Sequence, residues 1–159
     1  MALTCVAKRW LGLLPTVPAV SFLVLPVLFV VFFISALGEE LGWSGYVIDP
    51  LQERGSALWA AIVVGVVWAI WHFVPLVQAH RSPGWIAWWS FGTVALRVLT
   101  VWIYNNTGRS VFAATLFHAV SNLSTLAIPA YYDPQIVSPI LAFEAAVVAL
   151  VWGPRTLAR

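Results

Sequence analysis

Five long apolar runs, separated by short polar breaks, decide what this chain can fold into. They cover Val17–Leu41, Ala57–Val77, Trp85–Tyr104, Val111–Ile128 and Ile136–Trp152, the last two being the shortest. A helix needs about 20 apolar residues to cross a bilayer, and only helices and closed barrels satisfy the backbone inside one. The breaks are Asp49-Pro50 with Arg54-Gly55, then His80 to Gly84, Asn105 to Arg109 and Pro129 to Pro134. Each carries turn or helix-stop residues. The simplest architecture is an all-α, polytopic transmembrane bundle of about five spans, with residues 1–159 forming one membrane-embedded domain and the lipid bilayer as its surroundings.

Composition agrees. The 159 residues are 62% hydrophobic and 9% charged, where a soluble domain averages about 25% charged. Ten Trp and four Tyr suit membrane–water interfaces. The net charge of +2 is scattered along the chain, which argues against a nucleic-acid partner. One cysteine, Cys5, excludes an internal disulfide. Ala36-Leu37-Gly38 has the look of a signal-peptidase site, but the apolar region before it far exceeds an h-region of about 7–15 residues, so a retained helix is expected. The basic residues Lys8, Arg9 and Arg81 fall on one side of a five-span arrangement, and Arg54, Arg109, Arg155 and Arg159 on the other, so the positive-inside rule gives no orientation. The mixed stretch Glu39 to Arg54 reads as the first helix running past its apolar zone, bending along the interface and stopping near Pro50.

Ionisable groups inside a bilayer cost about 2.5–3.5 kcal/mol each on insertion scales and mark function or pairing. Here they are few. Glu39 and Glu40 end the first span, His72 lies in the second, Arg97 in the third, His118 and Asn122 in the fourth, and Glu144 in the fifth. His118 and Asn122 are four apart and share a helix face, as do Trp68 and His72. Glu39 and Glu40 point about 100° apart, so one can face a partner while the other faces elsewhere. A carboxylate, two imidazoles and an amide from three spans can thus converge. A carboxylate with an imidazole can polarise a water, and an imidazole with an amide can hold an oxyanion. The same groups admit a second reading: Glu39, His72 and His118 form a normal zinc ligand set, with Asn122 left as a hydrogen-bond donor. The residues alone leave the cofactor unknown, zinc or none. Neither Ser44 nor Ser121 has a partner that would make it a nucleophile.

The sequence Glu39-Glu40-Leu41-Gly42-Trp43, the aromatic Trp68 ahead of His72, and His118-x-x-x-Asn122 resemble the CPBP family, which includes CAAX prenyl proteases and bacterial relatives linked to bacteriocin immunity and abortive infection. The likeness covers about Ala36 to Leu126. It implies an intramembrane endopeptidase in which Glu39 activates water with His72, His118 and Asn122 form the oxyanion hole, and Glu40 supports. A membrane protein or lipidated peptide would be the substrate, and a prokaryotic cell membrane the location. The family pattern Glu-Glu-x-x-x-Arg has Ser44 where its arginine is expected, and Trp68 stands for the usual phenylalanine. Only 38 residues precede Glu39, fewer than in larger relatives, so the chain reads as a minimal core or a truncated form.

Loss of that arginine leaves Glu40 in want of a cation. Arg97, in mid-span, is the candidate, with Arg54 a weaker one. The rival is an Arg97–Glu144 ion pair joining the third and fifth helices. Two non-enzymatic readings stand beside the peptidase: an immunity or scaffold protein, which Ser44 favours, and an ion or proton pathway lined by Glu, His and Arg.

Overall fold

The computed structural model describes residues 10, 21, 23–127 and 132–159; the expected start of the first span, residue 128 at the end of the fourth, and residues 129–131 of the last break lie outside them. The described chain is all-α. α1 (Leu25–Gly42) passes through a π-helical turn (Trp43–Val47) into α2 (Ile48–Arg54), one rod of 30 residues. The helix does not stop near Pro50. After the π-helical turn, whose Trp43 carbonyl takes the Ile48 N–H, Pro50 is the third residue of α2, and a proline in a first helical turn breaks nothing. The rod ends at Gly55, which is extended.

Ser56 then caps α3 (Ala57–Trp71), its hydroxyl accepting the Trp59 N–H at 3.1 Å. The second apolar run is broken at His72 and resumes as α4 (Phe73–Gln78). Pro75 explains the break. It has no N–H for the Trp71 carbonyl, and its ring crowds that carbonyl in a continuous helix. A turn with His80 in the left-handed region (φ 54°) leads to α5 (Pro83–Asn106), whose cap Ser82 accepts from the Trp85 N–H. Gly108 and Arg109, both at positive φ, turn the chain into α6 (Val111–Ala127). Asp133 caps α7 (Pro134–Trp152), accepting the Gln135 N–H at 3.0 Å.

Among the described residues four stretches are long and apolar enough to cross a membrane: Leu25–Arg54, Ala57–Gln78, Pro83–Asn106 and Pro134–Trp152; α6 is apolar but shorter. The outward faces are greasy, with Val30, Ile34, Ile70, Phe112, Phe143 and Leu150 exposed. That is the surface lipid accepts, since lipid tails are as apolar as Leu. The chain is a multi-pass helical membrane protein.

α5 is the axis. Half of its apolar window is buried, against 11% for the first rod. It packs on α3 and α7, and on α6 to a smaller extent, while α1 packs on α6. At one end of α5 a polar clasp joins neighbouring elements: Tyr104 donates to Asp49 at 3.1 Å, Asn105 pairs with Gln52, and Asn105 and Asn106 reach the carbonyls of Thr156 and Leu157. Two glycines set the spacing along its length. A Cβ on Gly65 of α3 would lie 2.9 Å from Val94 Cα and 3.2 Å from Arg97 Cβ, and one on Gly92 would collide with the Ser138 hydroxyl of α7, which donates to the Trp88 carbonyl at 2.6 Å. Small residues let membrane helices approach this closely. Because the obstacle at Gly65 is backbone, Gly65→Ala is expected to spread α3 from α5 and to cost about 1–3 kcal/mol as an overpacking change. Thermal unfolding in detergent measures it; an unchanged midpoint would contradict the close-approach role.

Candidate active site

Consecutive residues on a helix diverge by about 100°, and the end of α1 uses this to split its two carboxylates. Glu40 turns into the bundle and is fully buried, whereas Glu39 is half-buried on the wall of a cavity of about 620 Å³. Glu40 meets four hydrogen-bonding atoms from three residues. Arg97 of α5 clamps it with both guanidinium nitrogens, Nη1 to Oε2 at 2.8 Å and Nη2 to Oε1 at 2.9 Å. The Ser44 hydroxyl donates to Oε2. His118 of α6 places Nδ1 3.0 Å from Oε1, and a carboxylate acceptor makes that nitrogen the protonated one. Three segments are thereby tied at one point.

Arg97 therefore pairs with Glu40. The rival partner, Glu144, makes no hydrogen bond or ion pair among the described residues and instead lines the cavity; Arg54 is exposed. The sequence reading of Ser44 as the loss of a cation was incomplete, because Ser44 itself donates to Glu40 while a different helix supplies the cation.

Trp68 is the other junction. Its indole Nε1 donates to Glu39 Oε2 at 2.7 Å. The Arg97 guanidinium lies over its ring at 4.4 Å, and the His118 ring meets it edge-on with centroids 5.0 Å apart. Its carbonyl is 2.9 Å from His72 Nδ1. A carbonyl only accepts, so Nδ1 carries the proton and Nε2 of His72 is left with a free lone pair. The Trp68 carbonyl also takes the His72 backbone N–H, and Trp71 and Trp89 wall the ring at 5.0 and 5.2 Å between centroids. In the sequence Trp68 stood only as a replacement for the usual phenylalanine. Its position four residues before His72 was the available signal, but the indole N–H to Glu39 requires the tertiary fold.

Glu39, His72, His118 and Asn122 all line the one cavity, with Trp68, Trp89 and Thr93 between them and Arg81, Trp85 and Tyr132 also on its wall. The Asn122 amide has no recorded partner among the described residues. The zinc set expected of Glu39, His72 and His118 is not assembled: among the described residues no three His, Cys, Asp or Glu side chains converge to hold a metal, and each member is turned to a protein partner. A carboxylate, a histidine with a free basic nitrogen, and a facing His–Asn pair are the elements of water activation and oxyanion binding.

The family model described as type II CAAX prenyl endopeptidase Rce1-like matches residues 21–124, well over half of the chain. The chain belongs to this family. It is also similar to the CAAX prenyl protease 2 of Methanococcus maripaludis, at 28% identity over 139 residues, which cover 82% of this chain and 51% of that protein. The chain thus spans about half the length of the curated relative that it matches. Within this Rce1-like chain the matched region holds every residue of the junction described above.

Removing one partner of a buried ion pair leaves an uncompensated charge, so Arg97→Ala is expected to destabilise the bundle by about 3–5 kcal/mol. Arg97→Lys, which cannot reproduce the bidentate clamp, should recover only part of that. Detergent melts of both variants against the parent give the comparison, and a parent-like melt for Arg97→Ala would show that Glu40 does not need the guanidinium.

Proposed function

We propose that this chain is an intramembrane endopeptidase that hydrolyses a peptide bond of a membrane protein or lipid-anchored peptide, in a cell membrane, with a water activated by Glu39 and His72. The observation that carries the reading is the single cavity lined by Glu39, His72, His118 and Asn122, in a chain of the Rce1-like family. The name of the archaeal relative, CAAX prenyl protease 2, points to a prenylated C-terminal peptide as the first substrate to test.

The chemistry follows from the hydrogen bonds. One Glu39 oxygen is held by the Trp68 indole, which leaves the other to take a proton from water. His72 Nε2, left free by the Nδ1–H bond to the Trp68 carbonyl, accepts the second water hydrogen bond and aims the oxygen. The hydroxide attacks the scissile carbonyl carbon and its proton rests on Glu39. The carbonyl oxygen takes the displaced electron pair and is met by the Asn122 amide and by His118. With Nδ1–H committed to Glu40, His118 has its Nε2 edge left for the oxyanion and donates there as imidazolium. Collapse of the adduct breaks the C–N bond, and Glu39 returns its proton to the leaving amine. No step passes through a metal. A site walled by tryptophans and lipid-facing helices has a low dielectric, which strengthens each of these contacts.

An immunity or scaffold protein is the rival reading. The purified chain in nanodiscs with a quenched fluorescent prenylated peptide separates the two. Glu39→Gln is expected to reduce cleavage by about 10²–10⁴-fold, the usual worth of a general base. Trp68→Phe, which keeps an aromatic ring and removes the indole donor, should lower kcat by about tenfold, near the lower end of the worth of a hydrogen bond to a charged group, with the chain still folded in detergent but its melt lowered. Cleavage that Glu39→Gln leaves intact, or none by the parent chain on any membrane substrate, removes the peptidase reading.

A further inference from the structure

Glu144 is one of only six acidic residues, and it lies near the middle of α7, eleventh of nineteen residues. It is half-buried, lines the cavity and has no hydrogen-bond or ion-pair partner among the described residues. A carboxylate at that depth costs about 2.5–3.5 kcal/mol on insertion scales and as a rule is paired or functional. Arg97, the arginine buried inside the described bundle, has both terminal nitrogens on Glu40. Glu144 therefore has neither a structural partner nor a place in the proposed hydrolysis.

Its depth can be read from the packing of α5 on α7. Gly92 meets Ser138 near one end, and the rings of Trp102 and Trp152 meet near the other. The two helices thus run in the same direction, and Glu144 stands at about the level of Arg97. That is the level of the Glu40–His118 junction. The cavity wall there consists of His118 and Phe117 from α6, Leu96 and Leu99 from α5, and Leu141 and Glu144 from α7. Apart from Glu144 itself, the α5 and α7 part of this wall is apolar. A carboxylate set among leucines, at the depth of the reacting groups and open to the cavity, selects what enters beside it.

We propose that Glu144 is a specificity-determining residue that receives a cationic side chain, lysine or arginine, of the peptide within about three residues of the scissile bond. The inference rests on the peptidase reading of the cavity. A basic residue would supply the missing counter-ion, while an acidic one would place two like charges in a site of low dielectric, where their repulsion is large.

The test begins with substrate and leaves the protein unaltered. The parent chain is given peptides carrying lysine, glutamine or glutamate in turn at each of the three positions on either side of the cleaved bond. At one or two adjacent positions, lysine is expected to raise kcat/KM at least tenfold over glutamine, and glutamate to lower it further. Glu144→Gln, nearly isosteric, should flatten that ratio to near one, and Glu144→Lys should invert it, with glutamine-peptide cleavage retained in both. Equal rates for the three peptides at every position overturn the proposal, as does a lysine preference that survives in Glu144→Gln. No cleavage of any peptide by the parent chain would instead count against the peptidase reading itself, so the two failures are distinguishable.

Discussion

The buried salt bridge between Glu40 and Arg97 is the constraint on which the rest depends. A carboxylate and a guanidinium without contact to water are each costly, and together they are tolerable only when nearly every lone pair and donor is matched. Here the match is close to complete: two Arg97 nitrogens, the Ser44 hydroxyl and His118 Nδ1 meet the Glu40 oxygens, and the guanidinium rests on the Trp68 ring. Arg97 Nε alone is left without a protein partner. Such a cluster has few alternatives. If α1, α5 or α6 shifts along its axis, a charge is left facing hydrocarbon. The pair fixes the register of three helices, and its His118 arm places an imidazole on the cavity wall.

Much of the fold was legible. Hydropathy and helix-stop residues located the membrane helices, because the bilayer leaves the backbone few choices. The local departures follow from two prolines whose effects depend on context. Pro50 was read as a stop, yet it falls in the first turn after a π-helical insertion and the rod continues to Arg54. Pro75 sat inside an apolar run that read as continuous, yet it leaves the Trp71 carbonyl without its helical N–H and the helix breaks at His72. Neither outcome could be read from hydropathy, since apolar content does not report which carbonyls are free.

The site was legible to a different degree. Spacing placed His118 and Asn122 on one face and separated Glu39 from Glu40, and both relations hold in the structure. Arg97 was a candidate partner of Glu40 on the ground that a mid-span guanidinium needs a carboxylate. Choosing between Glu40 and Glu144 required knowing which helices adjoin, information that a single sequence does not carry. Trp68 escaped notice as a hydrogen-bond donor because an indole in a membrane helix is normally an interface anchor or packing. For Glu144 the visible partner was Arg97, which had two carboxylates to choose from, and the fold gives it to Glu40.

The position of Arg97 along the chain also bears on how the protein reaches its membrane. A chain is synthesised from its N-terminus, so the helix with Glu40 enters the bilayer ahead of the one with Arg97. In the two-stage view of membrane folding, helices insert first and pack afterwards. α5 presents the bilayer with a guanidinium at a depth where its insertion cost is largest, and its partner is already resident nearby when it arrives. A carboxylate two spans upstream can thus act as a receptor for the later span. The order of the helices in the gene, as well as their packing, then contributes to whether α5 crosses the membrane at all.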